Sequence, residues 1–384
     1  MEIKQRFCLS MACLLLVPQL THALDVDHEV MPRVLLSGRI VSTVDAKYEL
    51  EASKETAAIN TDDSRILLGF DKKLYKDGVA GTSFGITEID KEVKFHHLNT
   101  YFWNQNFRME IGKGSLNNSI IEFPLIRDGD LLTYTHILNG SSDKEFDQLF
   151  AKNLKSDWYF DKKMQKIGFW LSSRENSDSH EAPGEFDSFG VSYAYQVPEN
   201  LAYVRTLRQI GFLLERQKVI DDGKKEWLNI FVAGGEINLN KRSDKNWSLA
   251  TQYIFNLGLA HAHSAITLSD QARAESTALV AALRYTARPH LLTRWQAALT
   301  TAYKTYHHVD NATQWSVIPT LFYRLGQGID LLTQATYHHY SAGLNNGESE
   351  IHVQIGLVFN LDININDSVG ERDSISNFKQ GYVR

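Results

Sequence analysis

Apolar and polar residues alternate along the segment Glu350–Asn360, near the end of the chain. One face of this segment, if it is extended, carries Ile351, Val353, Ile355, Leu357 and Phe359. The other face is polar apart from Val358, because successive side chains of a strand point to opposite faces. In a soluble sandwich the apolar face would pack on a second sheet. In a membrane barrel it would contact lipid while the other face lines a lumen.

The same alternation recurs along the chain and predicts sixteen strands. They are expected near residues 33–51, 63–76, 79–90, 93–104, 106–113, 146–160, 164–174, 187–197, 202–217, 226–240, 246–260, 276–288, 291–306, 314–325, 329–341 and 350–361. In the segment 314–325, for example, Trp315, Val317 and Leu321 share one face, opposite Thr320 and Arg324. This periodicity of two indicates an all-β chain.

The connections between these strands tend to alternate in length. Short turns are expected at 76–78, 104–106, 161–163, 198–200, 288–290 and 326–328, with a slightly longer one at 241–246. Longer loops are expected at 52–62, 114–145, 175–186, 218–225, 261–275, 307–313 and 342–349. Outer-membrane barrels have short periplasmic turns and longer outer loops, so they produce this alternation. The connection at 91–92 is an exception, because it should be an outer loop and is very short.

The N-terminal residues have the pattern of a secretory signal peptide. Lys4 and Arg6 precede an apolar core, and residues 21–23 form a cleavage box. Both cysteines lie in this segment, so the expected mature chain, 384 − 23 = 361 residues, contains none and forms no disulfide. Its charge is 38 Lys+Arg minus 45 Asp+Glu, or −7, which argues against nucleic acid as a partner. No later apolar run is long enough for a transmembrane helix.

Taken together, these features resemble the bacterial outer-membrane porins over nearly all of residues 33–361. The features are the signal peptide, the absence of mature cysteine, strands that end in aromatic residues, the alternating loop lengths and a closing strand that ends near Phe359. The resemblance implies a transmembrane antiparallel β-barrel of about sixteen strands, within a range of roughly 14–18, and a long third extracellular loop. The barrel is expected over residues 24–361. A polar tail is expected over 362–384, where the family usually ends on an aromatic residue.

The resemblance also implies a function, an aqueous channel for passive diffusion of small hydrophilic solutes or ions. The protein is then expected not to be an enzyme and to need no cofactor. Its expected partners are outer-membrane lipid, the permeating solutes or ions, and further copies of the chain in a homotrimer. A substrate-specific channel, for example for saccharides, is a variant of this hypothesis. The hypotheses from other classes are an outer-membrane enzyme and a non-channel barrel that serves as an adhesin or an export component.

The loop at 114–145 is expected to fold into the lumen, as the third loop of porins commonly does. It carries more apolar residues than a solvated loop needs, namely Ile120, Ile121, Phe123, Leu125 and Leu131. It also carries the charged residues Glu122, Arg127, Asp128 and Asp130. Long loops without secondary structure are usually functional. The alternative is a loop folded on its neighbours above the barrel rim.

Basic residues on the polar faces of the late strands are expected to line the opposite side of the pore. They are Arg284, Arg288, Arg294, Lys304 and Arg324, with Asp330 as the only acid placed among them. Rings of charged side chains select ions by sign, so this wall would attract anions. The alternative is an ordinary polar lumen without selectivity.

Several apparent catalytic or metal-binding motifs lack the structural context that such sites need. Residues 81–85 match G-x-S-x-G, but that motif needs a strand–turn–helix elbow and no helix follows. The residues of the pairs His96-His97 and His338-His339 are adjacent in sequence. Adjacent residues of a strand point to opposite faces, so neither pair can bind one metal ion. His261 and His263 could converge in a loop. No carboxylate or cysteine stands at supporting spacing, which argues against a zinc site.

Overall fold

The chain folds into a single antiparallel β-sheet that closes on itself, as seen in a computed structural model. The structure describes residues 33–51, 53–61, 64–74, 78–89, 92–113, 152–161, 164–173, 188–197, 205–221, 224–239, 252–264, 275–287, 295–307, 312–326, 328–341 and 347–364. The strands are β1 (Arg33–Glu49), β2 (Lys54–Asn60), β3 (Arg65–Lys73), β4 (Val79–Ile89), β5 (Glu92–Trp103), β6 (Phe107–Lys113), β7 (Lys152–Phe160), β8 (Gln165–Ser173), β9 (Ser188–Gln196), β10 (Leu207–Asp221), β11 (Lys224–Asn238), β12 (Gln252–Ser264), β13 (Ser276–Ala287), β14 (Trp295–Tyr306), β15 (Thr313–Gly326), β16 (Ile329–Tyr340) and β17 (Ser349–Asn364).

From β3 onwards each strand pairs with the next strand in sequence, and the first strand pairs with the last. β1 is antiparallel to β17 from Leu35↔Asn364 to Glu49↔Glu350. On its other side β1 pairs with both β3 and β2, so these two short strands together cross the sheet once. The result is a closed barrel of sixteen antiparallel strands, which confirms the predicted fold class and strand number.

The break between β2 and β3 lies opposite Val41 and is bridged by one side chain. The Ser64 hydroxyl accepts a hydrogen bond from the Val41 backbone N–H (3.1 Å). It also lies within donating distance of the carbonyl oxygens of Thr61 (2.7 Å) and Val41 (3.2 Å). Unpaired backbone groups are costly away from water. Ser64 therefore supplies the hydrogen bonds that the missing strand residues would have made.

The outer surface of the barrel is apolar along most strands. On β15, Leu321 is 45% exposed while its neighbour Phe322 is fully buried on the opposite face. The same alternation is seen in the exposed side chains Leu257, Leu279, Leu283, Leu299 and Ile355. Exposed aliphatic side chains in such number are expected where lipid replaces water as the solvent.

Two belts of aromatic rings border this apolar surface. Near the short connections, Tyr285 packs on Tyr253 (ring centroids 5.1 Å) and on Trp295 (4.8 Å). Near the longer connections, Trp315 packs on Tyr337 (5.1 Å) and pairs across the sheet with Tyr303. Amphipathic rings favour the membrane interface, so the two belts mark the apolar thickness. The sequence also predicts Trp247 in these belts, because it stands at the start of an alternating segment, but Trp247 lies outside the described residues.

The predicted turns at 104–106 and 326–328 match the structure, whereas two predicted loops are mostly strand. β15 ends at Gly326 and β16 begins at Ile329, and β4 ends at Ile89 and β5 begins at Glu92, so both connections are short. However, residues 54–60 of the loop predicted at 52–62 form β2, and most of 218–225 belongs to β10 and β11. Both predictions were wrong for the same reason. Strand residues outside the lipid layer need no apolar face, so the alternation fades there.

No helix in the described part of the chain is long and apolar enough to cross a membrane. The proposed signal peptide and the polar tail beyond Asn364 lie outside the described residues.

Candidate functional site

The inner surface of the barrel is the candidate functional site, because it carries most of the buried charged side chains. These side chains stand on the faces opposite to the exposed apolar residues. Of the nine charged residues predicted to line the pore, the structure describes Arg284, Lys304 and Arg324. All three occupy inward positions. Arg288, Arg294, Glu122, Arg127, Asp128 and Asp130 lie outside the described residues.

Arg284 belongs to an ionic cluster that spans β10 to β13. Its Nη2 donates a hydrogen bond to Oε2 of Glu236 at 2.7 Å. Arg208 Nε lies 2.9 Å from Oε1 of the same carboxylate. The Asn256 side-chain amide donates to Oε2 at 2.8 Å. One carboxylate is therefore shared by two basic side chains.

Arg324 forms a separate pair near the short-turn end of the barrel. Its Nε donates to Oδ1 of Asp330 at 2.9 Å, and its Nη2 reaches Oδ2 at 3.4 Å. The Asn360 amide also donates to Oδ2, at 3.4 Å. Cross-strand pairing of Arg324 with Asp330 places both residues at the same level. The paired carboxylate neutralises the positive charge that the sequence assigned to this wall.

Lys304 lies towards the opposite end of the barrel, on β14. Its side chain is almost fully buried, and its Nζ stands 4.7 Å from the centroid of the Tyr306 ring. A cation over an aromatic face is held there by electrostatic attraction. The three described basic residues therefore occupy different heights and do not form one ring.

Sequence reasoning also missed charged pairs on the inner wall of the earlier strands. Arg33 pairs with Asp71 through two hydrogen bonds of 2.6 and 2.8 Å, and Tyr101 donates to the same carboxylate at 3.2 Å. On β7, Lys155 Nζ lies 3.8 Å from Asp157 Oδ2. The alternation of the strands could have identified these residues, because each of them stands on the face opposite to an apolar one, as Arg324 does. They were overlooked because the early strands alternate less clearly.

An apolar patch also lies on the inner wall, between β15 and β1. It consists of Val41, Phe322, Leu332 and Val358, all with 0% exposure. The strands carry these residues on the same face as Arg324, Asp330 and Asn360. All four side chains are shielded from solvent, although the interior of a channel barrel is generally polar.

The outer end of the closing seam between β1 and β17 is held by polar contacts. The Ser349 backbone N–H donates to Glu51 Oε2 at 2.7 Å, and this hydrogen bond holds the pKa of the Glu51 carboxyl below its usual range. Lys47 Nζ lies 3.0 Å from Glu350 Oε1. These contacts join the first hairpin to the last strand.

The apparent catalytic and metal motifs are strand residues in the structure. Ser83 of the G-x-S-x-G match lies buried within β4, which is followed by β5. His338 points inwards and contacts Ser316 Oγ at 2.6 Å. The expectation that His261 and His263 lie in a loop was wrong: the alternation of β12 continues through them and both project outwards. Within the described ranges, no group of three or more His, Cys, Asp or Glu residues is arranged to hold a metal ion.

Comparison with known proteins identifies the fold. The structure is similar to an anion-selective porin from Comamonas acidovorans (TM-score 0.62, 12% identity), covering 86% of this chain and 100% of that chain. It is also similar to the trimer form of OmpT, an outer membrane protein of Vibrio cholerae (TM-score 0.58, 10% identity, 86% and 100% coverage). A third similar structure is the outer membrane channel DcaP of Acinetobacter baumannii (TM-score 0.56, 9% identity, 88% and 99% coverage). No family model and no curated protein matches the sequence.

The chain therefore has the fold of the bacterial outer-membrane porins, as its sequence pattern predicted. A closed sheet with an apolar outer surface between two aromatic belts satisfies every backbone group within lipid. The molecule is a multi-pass β-barrel of the bacterial outer membrane.

Proposed function

We propose that this protein is a channel for passive diffusion of small hydrophilic solutes or ions across the outer membrane. The observation that carries the proposal is the inner wall, where charged side chains from many strands face the interior of a sixteen-stranded barrel. Barrels of sixteen to eighteen strands enclose an aqueous channel. Charged side chains are tolerated inside such a barrel because water and opposite charges solvate them.

Conductance in a planar lipid bilayer tests this proposal. The purified, folded protein should produce discrete current steps that scale with salt concentration. A protein that inserts but passes no current would be a non-channel barrel, an adhesin or an export component. Hydrolysis of lipid or peptide substrates by the same preparation would support the enzyme hypothesis instead.

We further propose that loop 114–145 enters the lumen and narrows it. Two features support this proposal. The inner apolar patch of Val41, Phe322, Leu332 and Val358 is fully buried, and the loop carries apolar residues that could cover such a surface. Its acids Glu122, Asp128 and Asp130 would then face the basic residues of the late strands, giving a transverse field across the opening.

Deleting residues 120–131 should widen the pore and raise single-channel conductance. A deletion of the same length around the loop at 342–349 would not be a matched control. It would remove part of β17, which begins at Ser349. A second test variant replaces the loop's five aliphatic and aromatic residues with serine, which keeps the loop length and removes the packing. Unchanged conductance in both variants would place the loop outside the lumen.

A homotrimer is also proposed, because one similar structure is a trimer form and the outer surface offers a large area for self-association. Gel migration of unheated samples, together with chemical cross-linking of membranes, would show a species of three times the monomer mass. A single monomer band under both conditions would contradict the proposal.

A further inference from the structure

A polar band crosses the outer surface of the barrel above the aromatic belt, on strands β10 to β14. It is composed of Arg216, Asn229, His261, His263, Thr277 and His307. Arg216 pairs across the sheet with Asn229, and Asn229 pairs with His263. His261 pairs with Thr277 on the next strand. The band is therefore a continuous surface across neighbouring strands, and the diffusion function does not use it.

Two of the imidazole rings are oriented by one hydroxyl group. Thr277 Oγ1 lies 2.9 Å from His261 Nδ1 and 2.9 Å from His307 Nε2. The hydroxyl can donate to only one of these rings and must accept from the other. When both rings are neutral, one outer ring nitrogen is then a donor and the other an acceptor. Protonation of the second ring turns both outer nitrogens into donors.

The remaining members extend this donor surface. The His263 ring lies 6.3 Å from the His261 ring and is nearly parallel to it. The guanidinium of Arg216 stacks on Trp227, with Cζ 4.9 Å from the ring centroid. Both side chains are exposed. Among the described residues, the carboxylate that interacts with His261 is that of Glu275, the residue before β13. Glu275 is fully buried, so it does not lie on the exposed surface of the band.

The height of the band fits the headgroup layer of the membrane. Thr277 pairs with Thr305, whereas Leu279 and Tyr303 form a pair two residues closer to the membrane centre. Two strand residues span about 7 Å. Tyr303 pairs with Trp315 in the aromatic belt. The band therefore lies two strand residues further from the membrane centre than this belt. At the other end of β12 to β15, the described outward side chains include the aromatic residues Tyr253, Tyr285, Trp295 and Tyr323 and the aliphatic residue Leu325.

We propose that this band binds the phosphate group of a lipid headgroup in the outer leaflet. Arginine and imidazole N–H groups are suited to phosphate because charge-assisted hydrogen bonds are the strongest in proteins. The acyl chains of the same lipid would lie along the exposed leucines below the band. The site would thus fix a phosphorylated lipid at one position on the barrel circumference.

The test is lipid binding by the full-length, folded protein, measured by native mass spectrometry. The probes are a lipid A that carries phosphate monoesters and its dephosphorylated counterpart. The variants are H261Q/H263Q/H307Q, R216Q and T277V, which removes the bridging hydroxyl while keeping side-chain shape. The control is K72Q, which removes an outward cation near the opposite end of the barrel. Heat-modifiable gel migration shows that each variant is folded.

The triple variant and R216Q should bind the phosphorylated lipid about tenfold more weakly, because one hydrogen bond to a charged group contributes about that factor. T277V should show a smaller loss, and K72Q and binding of the phosphate-free lipid should be unchanged. Equal binding by all variants would overturn the proposal. An equal loss of affinity for both lipids would overturn phosphate recognition and would mean that the band contacts only the acyl chains or the sugar of the lipid. Displacement of the lipid by millimolar inorganic phosphate alone would make free phosphate the ligand.

Discussion

At the residue scale, the meaning of a side chain in this barrel depends on which of two opposite faces it occupies. Leu321 and Phe322 are consecutive, yet one contacts lipid and the other is fully buried inside. A soluble protein would bury both. The energetic penalty for a charge should therefore depend on face and on depth in the membrane, and not on hydrophobicity alone.

Replacing Leu321 with Arg should destabilise the barrel by about 2–4 kcal/mol, because the residue lies on the lipid face near mid-membrane. Leu325 is 53% exposed on the same face of the same strand, close to the end of β15. Leu325→Arg should cost only about 0–1 kcal/mol, since the penalty falls near the interface. Urea unfolding in lipid vesicles measures both. Equal penalties would show that the depth assignment is wrong.

At the element scale, the hydrogen-bond ladder of the barrel is interrupted in two places, and a side chain compensates at the first of them. Ser64 replaces ladder hydrogen bonds opposite Val41. Pro319 has no backbone N–H, and the pairing of β15 with β16 skips from Val317 to Thr320 around it. A proline within a strand usually argues against a central position. The alternation of β15 was strong enough to predict the strand correctly in spite of it.

Replacing Ser64 with Ala should destabilise the barrel by roughly 1–3 kcal/mol, the cost of leaving a buried backbone group unpaired. Ser42→Ala is the matched control, because Ser42 is an exposed serine beside Val41 and should change stability by less than about 0.5 kcal/mol. The free energies of unfolding of both variants give the answer. Equal, small effects would mean that water or a shifted backbone replaces the hydroxyl.

The sequence predicted strands where one face is lipid-exposed and failed where that constraint ends. β15 and β17 matched closely, since lipid requires Leu321 or Ile355 to be apolar. β2 was missed because its exposed residues lie at the barrel rim, where Glu55 and Thr56 are as acceptable as Ile59. The polar ends of β10 and β11 were taken for a loop for the same reason.

At the scale of the whole molecule, the inner wall is less basic than the sequence suggested. The sequence showed which residues face inwards, but it could not show that Arg284 shares Glu236 with Arg208. That contact joins residues from β10, β11 and β13, and no local pattern encodes it. A substitution that removes one partner of such a pair leaves the charge of the other partner uncompensated in the pore.

Replacing Arg284, Lys304 and Arg324 together with Gln should shift selectivity towards cations, because Glu236 and Asp330 would keep their negative charges. The reversal potential across a salt gradient measures the shift. It should grow as salt falls from about 1 M to about 0.1 M, since the screening length rises from about 3 to 10 Å. The outward substitution K72Q should have no effect. An unchanged reversal potential in the triple variant would make this wall an ordinary lumen lining.

The length of β10 and β11 has a consequence for the cell surface. Each strand has 15 residues, or about 50 Å of extended chain, and a tilt of about 40° leaves a height near 38 Å. The apolar layer of an outer-membrane barrel is only about 25 Å tall. This hairpin therefore extends above the membrane as a β-ribbon, and antibodies and phages that approach the bacterium would meet it early. Short peptide tags placed between Asp221 and Lys224 would be displayed to the medium.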